Sequence, residues 1–425
     1  MSNIWVLQTG EPLHIDEGDS RPMRAMNLVN TLIARGHYVT LFSADFDHKS
    51  KKHRYGSSQK IIVSEKLTIQ LIYSPGYKSN IGFQRLYDHF ILALNLRTLL
   101  KSDALCKPDL GFIGYPPIEA SFVMVRWLKN YKIPSVVDVK DQWPDYFIES
   151  FPIHFHFLAR IIFAPYFYLA AEVMSNATAF CSMSKSYLKW MSRVGKRQLT
   201  KGDMIAPLTL PLSTHKEKDL IDARIWWENL GVSTESKRRL CFVGSLSPAF
   251  DFTSIQRVAL EFREEGIECQ FVICGAGSSE AEVRTLMAGL DNVIFPGWID
   301  PSKIHVLAMC SSGALAPYKN TKNFTDNIPN KIVDSLAHGL PVFTTLSGEV
   351  KEMLEASNAG IYYSSSDYTY FKKSIVSLFE DQNFHSNLSS NAIKLYENRF
   401  SAVKVYGQLV DRLEGMVESV NHRGD

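Results

Sequence analysis

The sequence predicts an α/β protein built from two Rossmann-like, doubly wound domains. Three observations predict it. Short apolar runs read as buried strands, helical patterns separate them along the whole chain, and the alternation breaks at one charged stretch and then restarts.

Asn3–Thr9 reads as the first strand, with a turn opening at Gly10. Met26, Val29, Leu32 and Ile33 recur at helical spacing, which predicts a helix over Pro22–Arg35 closed by Gly36. Tyr38–Ser43 is the next strand, so the first unit is a parallel pair with a right-handed crossover. Ile69–Tyr73, Asp109–Gly114, Ser135–Val139, Thr178–Met183 and Met204–Leu208 read as further strands, and Pro117–Tyr131 as a helix. Runs without alternation are what a sheet buried on both faces requires.

Ser213–Arg239 is rich in Lys, Glu and Asp, and this shift predicts a linker and domain boundary. Beyond it, Leu240–Gly244, Gln270–Cys274, Val293–Phe295, Gly313–Ala316, Pro341–Thr344 and Gly360–Tyr362 read as strands. Thr253–Glu265, Asn330–His338 and Tyr368–Phe379 read as helices, and Leu388–Glu397 with Ala402–Val420 as a helical tail. The predicted domains are 1–212 and 213–400, with 401–425 a last helix.

Composition narrows the function. Of 425 residues, 45% are hydrophobic and 21% charged, as in a globular protein with substantial cores. A net charge of +2 argues against a dedicated nucleic-acid binder. The six cysteines form no C-x-x-C pair and sit mostly in apolar runs, so buried thiols are expected and a metal site is not. No signal peptide and no long uncharged apolar run is read. The expected location is the cytoplasm. Phe151–Leu169 is rich in Phe and Tyr, and reads either as an interfacial helix or as a buried one. The cluster Lys49, Lys51, Lys52, His53 and Arg54 would attract anionic headgroups or simply be solvated.

Ligands of doubly wound sheets bind beyond the carboxyl ends of the strands. The loops after Thr9, Gly114, Val139, Gly244, Cys274, Ala316 and Thr325 are therefore the candidates. The most informative is Asp326-Asn327-Ile328-Pro329-Asn330-Lys331-Ile332-Val333-Asp334. Asp334 lies one turn into the predicted helix, where a carboxylate can accept both hydroxyls of a ribose. Helix-terminal amides offer donors to a diphosphate, and Lys331 a compact cation. Asp326 would face sugar hydroxyls.

This stretch resembles the acidic-x7-acidic signature of retaining family 4 glycosyltransferases of the GT-B fold, with Ala337, Gly339, Pro341 and Val342 matching its tail. Both acids here are Asp. The Ile328-Pro329-Asn330-Lys331 start resembles a bacterial surface-polysaccharide subgroup that transfers amino sugars or deoxysugars to lipid-linked acceptors. Gly18-Asp19-Ser20-Arg21 with Arg24, and Arg35-Gly36-His37 before Val39-Thr40-Leu41, resemble the family's first loop and strand. Tyr115-Pro116-Pro117 and Asp138-Val139-Lys140-Asp141-Gln142-Trp143-Pro144 resemble the subgroup's paired loops. Val243-Gly244-Ser245-Leu246 resembles the first strand and loop of the donor domain, although Ser247–Phe252 lacks the Arg and Lys clamp many members carry. Gly275-Ala276-Gly277 and Pro296-Gly297-Trp298 match positions that close on the nucleotide.

The resemblance implies a GT-B glycosyltransferase with a cleft between its domains and a last helix crossing back to the first. It implies a nucleotide diphosphate sugar as donor, a UDP-sugar favoured, with no metal and no further cofactor. Asp334, Lys331, Asn330, Ile328, Gly244, Ser245, Gly275, Gly277 and Trp298 would bind the donor. Asp326 would hold the sugar, and Asp141 with Arg24 would line the acceptor side. Expected partners are a glycan or polyprenyl-linked acceptor and the cytoplasmic face of the inner membrane. A non-hydrolysing nucleotide-sugar epimerase, which shares the fold, and a silent sugar-nucleotide-binding subunit are the alternatives.

Overall fold

The computed structural model describes residues 1–16, 22–80, 82–102, 105–149, 151–209 and 214–421. The chain divides into unit 1, Met1–Leu210 with Val405–Asp425, and unit 2, Pro211–Lys404. The segments Gly18–Arg21 and Leu210–Ser213, which carry the expected first loop and the predicted boundary, lie outside the described residues.

Unit 1 is built on β1 (Asn3–Leu7), β2 (Tyr38–Ala44), β3 (Gln59–Ser64), β4 (Leu67–Ile72), β5 (Leu110–Tyr115), β6 (Ser135–Val139), β7 (Ala179–Ser182) and β8 (Met204–Ile205). Their order across the sheet is β8-β7-β6-β5-β1-β2-β4-β3, and only β3 runs antiparallel. Ile4 pairs with Val39 on one side and Leu110 on the other. Every residue of β5 and β6 is buried, as strands covered on both faces demand. Chain order reverses between β1 and β5, so their following loops flank the switch point where such sheets bind ligands.

Unit 2 holds β9 (Arg239–Val243), β10 (Gln270–Cys274), β11 (Val293–Gly297), β12 (Gly313–Ala316), β13 (Val342–Thr344) and β14 (Gly360–Tyr362). The order β11-β10-β9-β12-β13-β14 is parallel throughout and reverses between β9 and β12. Phe242, Phe271 and Phe343 centre its core, and Trp5, Phe42, Tyr115 and Phe180 that of unit 1.

The helices that position the unit 1 site are α1 (Arg24–Ala34), α2 (Phe83–Lys101) and α3 (Ile118–Asn130). They are followed by α4 (Asp145–Glu149), a 3-10 turn (Ile153–Phe155), α5 (His156–Ile162) and α6 (Ala164–Asn176). The predicted helix over Phe151–Leu169 is thus broken, and α5 and α6 meet at a 69° bend. Pro165 at the start of α6 explains it, since a proline suits the first helical turn and cannot continue a preceding one. Helix α2 was not foreseen, because its apolar residues lie on both faces and leave no amphipathic period.

The charged stretch predicted as linker contains the helix Glu217–Asn229. Its Trp227 is fully buried in unit 2 and donates from Nε1 to the Lys303 carbonyl at 3.0 Å. One buried face outweighs a polar average. The terminal helix Ala402–Asn421 buries Leu409, Val410 and Leu413. Glu414 on it meets His37 at 2.8 Å and Arg35 at 3.0 Å, and the Tyr406 hydroxyl donates to the Thr209 carbonyl at 3.2 Å.

Candidate functional site

In unit 2, the glycine loops after β9 and β10, beside the switch point, close on each other. Gly244 adopts φ +149° and Gly275 φ +130°, conformations that favour glycine. A Cβ on Gly275 would lie 1.9 Å from the Gly244 carbonyl oxygen, and one on Gly277 2.1 Å from that of Leu246. Backbone bonds join the loops, Gly244 to Cys274 and Leu246 to Ala276, each at 3.0 Å. Ser245 is left exposed between them.

Lys331 enters this junction from the first turn of the helix Asn330–Ala337. Its Nζ donates to the Val243 carbonyl at 3.1 Å and lies 4.1 Å from the Phe242 ring centre and 4.7 Å from that of Phe250. Burial pushes the ammonium down to about 7, with Asp334 pulling the other way. A desolvated cation at a glycine loop, beside a helix N-terminus, is an arrangement that gains most when an anion arrives.

The two acids of the signature stand in unit 2. Asp334 is half-buried one turn beyond Lys331, and Asp326 is half-buried after the short helix Lys322–Thr325. Asn330 is exposed at the helix start. The loop after β13 approaches Asp326: a Cβ on Gly348 would lie 2.3 Å from the Thr325 carbonyl oxygen. Gly348 and Glu349, which opens the next helix, were not picked out from the sequence. A Ser-Gly-Glu run two residues past a strand was the available signal. Ile328 corrects an expectation. Its side chain is 2% exposed in the core, and its amide is taken by Asn327 Oδ1 at 2.8 Å, so neither is offered to a ligand. Trp298 ends the β11 loop with its indole largely exposed. Among the described residues no group of three His, Cys, Asp or Glu could hold a metal ion.

Unit 1 has a cavity of about 220 Å³ at its own switch point, lined by the loops after β1, β5 and β6 and by α2. Asp141 lies in it. Burial raises its carboxyl to about 6, against the pull of Arg85 and Lys140. Lys140 bonds Glu11 across the cavity. His48 meets the Tyr77 hydroxyl at 2.6 Å, and the Arg85 guanidinium lies 4.7 Å over the Trp143 ring. Arg85 and His89 were missed because α2 itself was, and Tyr77 because it lies in the loop that leads from β4 to α2.

Arg24 is the main correction. It is 2% exposed and does not line a solvent-facing wall. Its Nε and Nη2 bind Asp138 Oδ2 and Oδ1, each at 2.7 Å, and Nη1 donates to the Ala206 carbonyl at 2.8 Å. Burial opposes its charge, but Asp138 overrides it and holds the guanidinium raised. The predicted basic cluster is also divided. Arg54 pairs with Asp16 at 2.6 Å and His53 with Asp45 at 2.9 Å, leaving Lys49 and Lys52 exposed. Five cysteines are buried and Cys106 is exposed.

Residues 237–381 match the family model described as glycosyl transferases group 1. No curated protein matches the chain. Among solved structures, sucrose-phosphate synthase from Thermosynechococcus elongatus is similar over 99% of this chain and 100% of that one, with a TM-score of 0.69 and 14% identity. HepE from Anabaena in complex with UDP-glucose is similar over 98% and 100%, with a TM-score of 0.59 and 15% identity. An α,α-trehalose-phosphate synthase from Burkholderia vietnamiensis is similar over 98% and 100%, at 0.63 and 10%. The matched residues contain both glycine loops, Lys331 and the two acids, and the likeness to the solved structures shows a GT-B fold over nearly the whole chain.

Proposed function

We propose that this protein is a retaining glycosyltransferase of the family 4, surface-polysaccharide type. It moves a sugar from a nucleotide diphosphate sugar, UDP-linked by preference, to a hydroxyl of a glycan or polyprenyl-linked acceptor. It does so in the cytoplasm, beside the inner membrane. The observation that carries the reading is Lys331 at the Gly244–Gly275 junction, inside the segment that matches group 1 glycosyl transferases. HepE, which is similar in fold, was solved with UDP and with UDP-glucose.

In this reading Asp334 accepts the ribose hydroxyls, Lys331 and the loop amides hold the diphosphate, and Asp326 orients the sugar. Asp141 positions the acceptor. The acceptor oxygen bonds to the anomeric carbon on the face that the diphosphate leaves. The breaking bond's electron pair goes to the diphosphate oxygen, which takes the acceptor's proton. The protein contributes positioning and charge stabilisation.

Incubation with UDP-, GDP- and dTDP-sugars, with and without acceptor, tests this. Acceptor-dependent release of nucleotide with an unchanged anomeric configuration is the expected result. Isomerised sugar without acceptor would mark an epimerase instead, and binding without turnover a silent subunit.

A further inference from the structure

Between Phe151 and Ala171 the only formal charge is Arg160. Such a run is expected inside a protein, yet much of it is outside. Helix α6 buries Ala170, Val173 and Met174 in the unit 1 core. That anchor makes the bent pair unsuited to crossing a bilayer, and no single described helix is long and apolar enough to do so. Helix α5 buries Ala159 alone. Ile153 stays 82% exposed and Phe157 78%, with Ile161 and Ile162 also exposed. An apolar patch of this kind marks a binding surface.

Helix α2 repeats the anomaly. Leu92, Leu96 and Leu100 face the core, while Phe83, Tyr87, Phe90 and Leu94 lie exposed along one line of the opposite face, a line that continues to Arg97 and Lys101. Aromatic contacts join the two features. Arg85 of α2 lies over Trp143, whose ring centre is 4.8 Å from that of Phe147, and Phe147 is 5.1 Å from Phe163, between α5 and α6.

Charge decides what covers this face. The exposed charged residues of α2, α3, α5 and α6 are Arg97, Lys101, Arg126, Lys129 and Arg160, all cations. The acids of these helices are withdrawn: Asp88 and Glu119 are buried and Glu172 is half-buried. Among the described residues, Glu149, at the end of α4, is the exposed acid nearest in sequence. A protein interface has a polar rim and no need of one sign. Apolar side chains among cations suit the boundary between acyl chains and anionic headgroups.

We propose that α5 and the outer line of α2 dock unit 1 on an anionic phospholipid bilayer. Ile153, Phe157 and Ile161 enter the interface, and Arg97, Lys101 and Arg160 meet the lipid phosphates. This rests on the membrane contact of the proposed function and assigns it a surface. Vesicle binding requires no turnover, so its failure leaves the transferase reading intact.

The test is co-sedimentation of the full chain with phosphatidylcholine vesicles, with and without phosphatidylglycerol. Binding is expected with phosphatidylglycerol and falls as salt rises. Ile153→Ser/Phe157→Ser/Ile161→Ser should weaken it about tenfold or more, since each loses an inserted apolar group. Arg97→Glu/Lys101→Glu should abolish the preference for phosphatidylglycerol. UDP binding by calorimetry, unchanged in both, shows that the variants fold. Should the triple variant not fold, Ile161→Trp supplies the reading: brominated lipid should quench its added fluorescence, and absence of quenching overturns the proposal. So does wild-type protein that ignores anionic vesicles, or a triple variant that binds like wild type. Light scattering showing a wild-type dimer that the triple variant lacks would assign the face to a second copy and overturn it too.

Discussion

A Cβ on Gly244 would lie 1.6 Å from Nζ of Lys331. The ammonium occupies the space that the missing side chain leaves, so the glycine is required twice, by φ +149° and by its neighbour. Gly244→Ala should expel the ammonium from the Val243 carbonyl and strain the turn. UDP affinity is expected to fall about tenfold or more, on the scale of one charge-assisted hydrogen bond. Calorimetry checks this, with uridine as control. Equal losses for UDP and uridine would remove Lys331 from the phosphate role.

The lowered Lys331 pKa sets a pH signature. In the free protein the group titrates near 7 because burial disfavours its charge. A bound diphosphate would raise it. The complex then holds a proton that the free protein has lost, so affinity should fall as pH rises above about 7, approaching tenfold per unit. Lys331→Met should bind more weakly and lose this slope. The sign for folding follows from the same depression. The cost of burying the charge is fully present below about 7 and vanishes above the unfolded value of 10.5, so this group makes unit 2 more stable as pH rises between them.

Asp334 and Asp326 should separate by ligand. Asp334→Ala is expected to weaken UDP and UDP-sugar alike, by roughly the 1.5–3 kcal/mol of hydrogen bonds to a charged group. Asp326→Ala should spare UDP and reduce turnover. Unchanged UDP affinity in Asp334→Ala would reject its ribose role.

Much of this was legible in the sequence because parallel strands and their loops leave local signals. Gly244, Gly275 and Lys331 fall at strand ends or in the first turn of a helix, where periodicity stops, and the two acids flank that helix start. What stayed hidden depends on the far side of a contact. The sequence marks Arg24 as a cation in the first turn of a helix. Only the fold shows Asp138, 114 residues away, closing on it. Helix α2 hid behind two apolar faces, and with it Arg85 and His89. Ile328 looks like part of a loop motif, yet its side chain points into the core.

Asp141 is the group whose titration should appear in turnover. Its carboxyl is raised to about 6 by burial in the cavity, with Arg85 and Lys140 opposing. If its anion orients the acceptor, kcat/KM for acceptor should rise through about pH 6 as the proton leaves. Asp141→Asn should flatten that limb and lower turnover, while UDP affinity in unit 2 is unchanged. A limb that persists in Asp141→Asn would assign it to another group.

The Arg24–Asp138 pair carries a prediction about stability. Both side chains are buried, at 2% and 0% exposure, and bind in a two-pronged geometry that ties α1 to β6 and, through Ala206, to the end of β8. Removing one partner strands a charge in the core, so Arg24→Met or Asp138→Leu should each cost about 3–5 kcal/mol in urea denaturation of unit 1. The double variant removes both charges and should cost much less than the sum, because the penalty of each single change is mostly the orphaned partner. The guanidinium is held raised by Asp138, so its contribution is fully present below the unfolded arginine value and constant through the neutral range. Additive losses across the cycle would show that the pair is not coupled.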